Sequence, residues 1–157
     1  MKVLLVAVGR VKGSLVDAVH EYEERARRYW KLTVVEVAAG APGGDAAAGR
    51  VRQAEAARIL AKLPEGLEVV ALTRGGDGRL GSRQFAEYLE GLGVRAAPGV
   101  AFVIGGAFGL DESVLKKART RLSLSDLTLP HEMARLVLAE QLYRAGTMVR
   151  GEPYHKG

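Results

Sequence analysis

The strongest constraint on this chain is an alternation. Short runs rich in β-branched residues, Val3–Val8, Leu32–Val37, Leu67–Leu72 and Val100–Ile104, are separated by longer segments whose apolar residues fall at helical spacing. Strands that hand over to helices in this way build βαβ units, so the pattern predicts an α/β fold with a mainly parallel sheet and helices on both faces. Leu122–Leu124 is a short fifth strand candidate. The first helix is expected over Ser14 to Tyr29, with Leu15, Val19, Tyr22, Ala26 and Tyr29 on one stripe and Ser14 and Asp17 forming a capping-box-like start. Asp45 to Leu63 reads as a surface helix with a thin apolar stripe. Ser82 is expected to cap a helix that buries Phe85, Leu89 and Leu92, and Asp111 to start a short one through Ala118. With 157 residues, the chain has room for one domain spanning 1–157 and little room for a second core.

The last long segment, Met133 to Val149, is apolar nearly all round. Its few charges, Glu132 with Arg135 and Glu140 with Arg144, stand at separations that allow pairing along a helix. A helix apolar on most faces must be covered on most faces, either by a second subunit, which makes a homodimer, or by its own domain.

Composition removes several classes of function. Cysteine is absent, which excludes disulfides, thiolate metal sites and a cysteine nucleophile, and makes a reducing cytoplasm the simplest setting. The opening MKVLLVAVGR ends in Gly-Arg rather than in a small-residue cleavage site, so it reads as a buried first strand rather than a signal peptide. No apolar run approaches the ~20 residues of a bilayer span, so a soluble protein with no membrane partner is expected. His20, His131 and His155 show no metal-ligand spacing, and no metal is expected; His20, among Val19, Glu21 and Tyr22, reads as a surface residue. The net charge of +5 is carried by the two ends of the chain, which flank an acidic middle. A polyanionic partner such as RNA is one reading of that balance.

Neither G-x-x-x-x-G-K-[ST] nor an early G-x-G-x-x-G occurs. A glycine-rich segment comes later, where Val100–Ile104 runs into Gly105-Gly106-Ala107-Phe108-Gly109. Glycines at the carboxyl end of a parallel strand let a ligand approach the backbone; the same residues also suit a tight strand-to-helix turn. The run Leu122-Ser-Leu-Ser-Asp126-Leu-Thr-Leu-Pro-His131 alternates and then becomes a polar turn. It is either an edge strand with an ordinary helix start or a set of backbone hydrogen bonds and apolar walls for an adenine. The tail Gly151-Glu-Pro-Tyr154-His155-Lys-Gly157 has no apolar periodicity, and its aromatic and imidazole either fray or serve function.

Taken together, VAVG near the start, VIGGAFGL, SLSDLTLPHEMARLVLAEQLYRA and the terminal PYHKG resemble the RlmH type of SPOUT-class ribosomal RNA large-subunit methyltransferases, over essentially the whole chain. The resemblance implies an α/β knot with a C-terminal trefoil, an obligate homodimer, S-adenosylmethionine as methyl donor, and methylation of N3 of a pseudouridine in large-subunit (23S) ribosomal RNA within the ribosome. Carried over by position, it implies a cofactor site at Leu72, at Gly106, and at Ser125, Asp126, Leu127, Thr128, Leu129 and Pro130. His155 would be the general base, having the pKa nearest neutrality, with Tyr154 stacked on or bonded to the acceptor base and Arg144 offsetting charge. The alternative is a catalytically silent RNA-binding module of the same fold. Two departures stand out. The loop Gly40-Ala-Pro-Gly-Gly44 is not Lys/Arg-rich as in relatives, which shifts the expected phosphate contacts to Arg50, Arg52 or Arg58, or to Arg25, Arg27 and Arg28. Glu152 stands where relatives often carry a histidine.

Overall fold

A computed structural model describes residues 1–43, 47–74 and 78–155, and for His155 the backbone alone. Asp45, expected to open the second helix, lies outside the described residues. Among the described residues, six strands form one sheet, β1 (Lys2–Val8), β2 (Lys31–Val37), β3 (Glu68–Leu72), β4 (Gly78–Arg79), β5 (Gly99–Ile104) and β6 (Thr120–Ser123), and five α-helices accompany them, α1 (Val16–Ala26), α2 (Ala48–Lys62), α3 (Ser82–Val94), α4 (Glu112–Lys117) and α5 (His131–Val149). The strand order is β2-β1-β5-β3-β6-β4 and every pairing is parallel. All the sheet's carboxyl ends therefore lie along one edge, where an open α/β sheet places its ligands.

Side-chain alternation divides the core into two layers. Val3, Leu5 and Ala7 of β1, with Val100, Phe102 and Ile104 of β5, pack against α1, α3 and α5. Val6 and Val8, with Val69 and Val103, pack against Ala56 and Ile59 of α2 and Val114 of α4. β5 is buried at every position, the continuous apolar reading of a strand covered on both faces. The all-parallel sheet with helices on both sides is thus as expected. The two-residue β4 is an addition that alternation could not reveal.

Three local expectations are corrected. Neither Ser14 nor Asp17 caps α1, because a 3-10 turn over Gly13–Leu15 leads into the helix and leaves no side-chain cap. Ser82 is the first residue of α3 rather than its cap. Gly81 holds the cap position, its N–H donating to Gln84 Oε1 at 2.8 Å, while the Ser82 hydroxyl bonds Gln141 Oε1 of α5 at 2.7 Å. Arg135 pairs not with Glu132 but across the core, its Nε donating to Glu23 Oε2 of α1 at 2.8 Å and its Nη1 to Glu36 Oε2 of β2 at 2.5 Å. Asp111 does cap α4, accepting from the Ser113 N–H at 3.1 Å, and Arg144 does pair with Glu140.

The central position of α5 follows from these contacts. The Trp30 indole N–H donates to the Leu142 carbonyl at 2.8 Å, and Gly146 lies so close to Tyr29 that an added Cβ would sit 2.4 Å from Tyr29 Cγ. Only a glycine lets the turn after α1 approach so near. Among the described residues no helix is long and apolar enough to cross a membrane.

Candidate cofactor cleft and active site

The loops that follow β3, β5 and β6 converge at the carboxyl edge of the sheet around a cleft of about 640 Å³. That volume lies within the usual range for small-molecule sites. The β5 loop closes on itself through a Gly109 N–H to Gly106 carbonyl bond of 3.1 Å, with Gly109 in the left-handed region at φ +80°. A Cβ on Gly105 would meet the Gly109 carbonyl carbon at 2.9 Å, and one on Gly106 would meet Val8 Cγ1 at 3.0 Å and both Glu55 oxygens at 3.1 Å. The close packing of these protein atoms therefore favours glycine at both positions.

The β6 loop is held by its own hydroxyls. Ser123 Oγ donates to the Ser125 carbonyl and Ser125 Oγ accepts from the Leu127 N–H, both at 2.9 Å. These bonds pin the turn that carries the chain into α5, whose first residue, His131, reaches into the cleft beside Gly9.

Of the residues expected at a cofactor, Leu72, Gly106, Ser125, Leu127, Leu129 and Pro130 line this one cleft. Asp126 and Thr128 share the turn without lining it. Asp126 points away to Arg79, at 3.0 Å, and Thr128 is exposed. The cleft also recruits Thr73 and Arg74, which sequence reasoning did not single out, and Phe108 and His131, which stand in the two unusual stretches but were not named as cofactor residues. Thr73 and Arg74 directly follow Leu72, so their place at a strand's carboxyl end was the signal available. Arg52, expected only as a phosphate contact, lines the cleft from α2.

Arg144 and Tyr154 lie elsewhere. Arg144 holds Glu140 Oε1 through Nε at 2.9 Å and Nη2 at 2.6 Å, and that bond raises the guanidinium's pKa. The tail turns back over α5 as a 3-10 turn, Pro153–His155. Tyr154 packs on Tyr143 with ring centroids 4.5 Å apart, donates its hydroxyl to Glu140 Oε1 at 3.2 Å and lies 5.1 Å from the Arg144 guanidinium. Burial first, then a hydrogen bond with Tyr22, pushes the Tyr154 phenol up to about 12. Glu152, the departure in the tail, accepts a hydrogen bond from the Tyr29 hydroxyl. The His155 side chain lies outside the described residues.

A parallel α/β domain with a glycine-backed cleft and a polar turn leading into a long C-terminal helix defines a class. The family model described as predicted SPOUT methyltransferase matches residues 1–155, and the chain belongs to that family. More particularly, it is 51% identical to the ribosomal RNA large subunit methyltransferase H of Gemmatimonas aurantiaca over 157 residues, covering 99% of this chain and 100% of the relative. Proteins of the same name from Listeria monocytogenes and Clostridium beijerinckii are 47% and 38% identical, again over 99% of this chain and 100% of each relative. Among solved structures, a probable methylase family protein from Haemophilus influenzae aligns with a TM-score of 0.53 at 15% identity, covering 99% of this chain and 70% of its own. A putative methylase family protein from Neisseria gonorrhoeae gives 0.53 at 15% identity, covering 91% and 82%. These two bear on the fold alone.

The family makes S-adenosylmethionine the cofactor, and the cleft fits it. Gly105 and Gly106 line it with backbone alone. The buried Thr73 hydroxyl has no protein partner among the described residues, which leaves it to a ligand. Leu72, Ile104 and Leu124 give apolar walls. Among the described residues no group of three or more potential metal ligands occurs.

Proposed function

We propose that the protein methylates N3 of a pseudouridine in large-subunit (23S) ribosomal RNA, acting as a homodimer on assembled ribosomes in the cytoplasm. The observation that carries this reading is the single cleft built by Leu72, Gly106 and the Ser125–Pro130 turn, in a chain that matches large-subunit ribosomal RNA methyltransferases over their full length. The bound cofactor supplies a methyl group already activated on a positively charged sulfur. The chain's own residues have then to hold that group, orient the acceptor and remove one proton. Backbone groups of the Ser125–Pro130 turn would hold the adenine, including those of Asp126, whose side chain pairs with Arg79, and of the exposed Thr128. An imidazole nitrogen of His155 accepts the N3 proton, Tyr154 packs against the acceptor base, and Arg144 offsets the negative charge that develops as the proton leaves.

The position of the tail favours a site shared between two subunits. α5 runs for 19 residues, about 28 Å. His131 at its start lines the cleft, whereas Tyr154 packs against Glu140, Tyr143 and Arg144, roughly 14–20 Å further along the axis. A tail docked there serves the cleft of a partner, and the dimer covers the apolar side chains that α5 leaves partly open, among them Met133 and Val149. The reading includes the C-terminal trefoil knot of the family, in keeping with an α5 that leaves β6, between β3 and β4, and packs back between α1 and α3.

Of the cations expected to meet phosphate, Arg58 is spent on the Ala38 and Gly40 carbonyls, both at 2.7 Å, and Arg25 and Arg27 pair with Glu21 and Glu24. Arg50 and Arg28 are exposed, and Arg52 stands at the cleft with Arg74. These four carry the RNA contact. Transfer of a labelled methyl group to assembled ribosomes, compared with free RNA, tests the whole reading. Activity on ribosomes that is lost with His155→Ala while cofactor affinity is kept is the expected result. Wild-type protein that binds the cofactor yet methylates neither substrate would refute it, and no cofactor binding at all would favour a silent RNA-binding module.

A further inference from the structure

The cleft has an electrostatic imbalance. Its charged lining residues are Arg52 and Arg74, joined by the titratable His131, and no carboxylate lines it among the described residues. Such a lining suits phosphates or a carboxylate. It does not suit the net positive charge that the methyl donor carries and the demethylated product lacks. Among the described residues, three acids close in sequence to the cleft loops are already engaged: Asp111 accepts from Ser113, Asp126 pairs with Arg79, and Glu132 stands 3.8 Å from His131.

A further acid lies just behind the cradle. Glu55 of α2 is 3% exposed, one turn after Arg52. Its Oε2 accepts the Gly40 N–H at 2.8 Å, while its Oε1 is buried with no partner among the described residues. Both oxygens would lie 3.1 Å from a Cβ placed on Gly106, so the carboxylate abuts the backbone of a glycine that lines the cleft. Arg58, the neighbouring cation on the same helix, is turned to the carbonyls of Ala38 and Gly40. A buried carboxylate with one hydrogen bond is costly unless something compensates its charge.

We propose that Glu55 is the counter-charge of the cofactor cleft: placed behind Gly106, it favours the cationic methyl donor over the neutral product and so sets the exchange of one for the other after each turnover. Glu55 is a positioning residue, since it acts on the cofactor through the field across Gly106 and by holding the Gly40 loop rather than by contact with the reacting atoms. The inference rests on the cofactor assignment above and deepens it.

The test is a pair of calorimetric titrations, with S-adenosylmethionine and with S-adenosylhomocysteine, on wild type, Glu55→Gln and Glu55→Asp. Glu55→Gln keeps the shape and an acceptor for the Gly40 N–H while removing the charge. It should weaken the cationic ligand about three- to tenfold, the order expected of one charge felt through protein, and the neutral ligand less than about twofold. The ratio of the two affinities is the readout, and a purely structural role would not move it. Glu55→Asp should keep the wild-type ratio even where both affinities fall. Because the charge is buried, the change in ratio should persist at high salt. Equal losses for both ligands in Glu55→Gln, or an unchanged ratio, would overturn the proposal while leaving the methyltransferase reading intact. A wild-type protein that bound neither ligand would overturn both.

Discussion

The ion cluster at Arg135 is the feature of the core most open to a quantitative test. Arg135 is 5% exposed at its side chain and bonds Glu23, 3% exposed, through Nε at 2.8 Å and Nη2 at 3.3 Å; its third bond reaches Glu36, which is 35% exposed. The cluster joins α1, β2 and α5 at a point one turn beyond His131, so it fixes the entry of α5 where that helix meets the cleft. Arg135→Met removes the cation and leaves Glu23 buried and uncompensated, a change that costs about 3–5 kcal/mol. Glu36 can take up water and adds little. For a chain of this size the melting temperature should fall by roughly 6–20 °C. The double variant Arg135→Met, Glu23→Leu removes the orphaned charge along with its partner and should regain most of the loss, because well-packed apolar groups replace buried ion pairs at little cost. Urea denaturation at one fixed protein concentration gives each value, since the stability of any self-associating chain depends on concentration. A loss below about 1 kcal/mol for the single variant, or a double variant no more stable than the single, would refute the view that the buried charge is the source of the effect.

Other outcomes follow from close approaches and from the tail. Gly106→Ala would press a Cβ to 3.0 Å from Val8 and 3.1 Å from Glu55, and should lower cofactor affinity at least about tenfold at a stability cost of about 1–3 kcal/mol, read by calorimetry and thermal melting. Gly146→Ala should destabilise even though alanine favours a helix by about 1 kcal/mol, because its Cβ would lie 2.4 Å from Tyr29 Cγ; a more stable variant in urea would contradict the packing described. The Tyr154 phenol, pushed from 10.0 to about 12 by burial and its hydrogen bonds, favours the docked tail fully below about pH 10. That contribution is lost as pH rises through 12, and ultraviolet titration of wild type against Tyr154→Phe should show one late-ionising tyrosine disappear. In the docked tail the phenol is therefore protonated near neutrality.

The architecture was legible because it depends on short-range pattern. β1 and β5 read as buried strands from their unbroken apolar runs, and α3 from Phe85, Leu89 and Leu92 at helical spacing. What stayed hidden depends on contacts between distant residues. Arg135 stands three residues from Glu132 in sequence, yet its partners are Glu23 and Glu36, because burial against α1 and β2 leaves water unable to compete for its charge. Ser82 has the composition of a cap, but Gln141 of α5 claims its hydroxyl, and Gly81 with Gln84 satisfies the helix start instead. In the cleft, the glycines and the polar turn were visible as unusual stretches, whereas Thr73 and Arg74 had only their place after Leu72 to mark them, and it is strand order that brings β3 between β5 and β6. The carboxylate of Glu55 looked like one more polar position on a surface helix. Its burial against Gly106 is a property of the fold that no spacing announces.

The separation between cleft and tail turns the shared-site reading into a decisive experiment. If each active site joins the cleft of one subunit to the tail of the other, two defective proteins can repair one another. One carries Gly106→Ala, with a damaged cleft and an intact tail; the second carries Tyr154→Ala and His155→Ala, with an intact cleft and no functional tail. Either homodimer has two crippled sites. A mixed dimer has one site in which both halves are damaged and one in which the intact cleft meets the intact tail. Random reassortment makes half the dimers mixed, so the mixture should recover about one quarter of wild-type turnover per subunit. If the tail instead served its own cleft, every site in every dimer would retain one defect, and mixing would recover nothing. Tyr154 packs against Glu140 and Tyr143, well along α5 from His131 at the cleft. A tail serving its own cleft would have to abandon that packing and cross at least two turns of helix, whereas a partner's cleft demands only that two copies of α5 lie together.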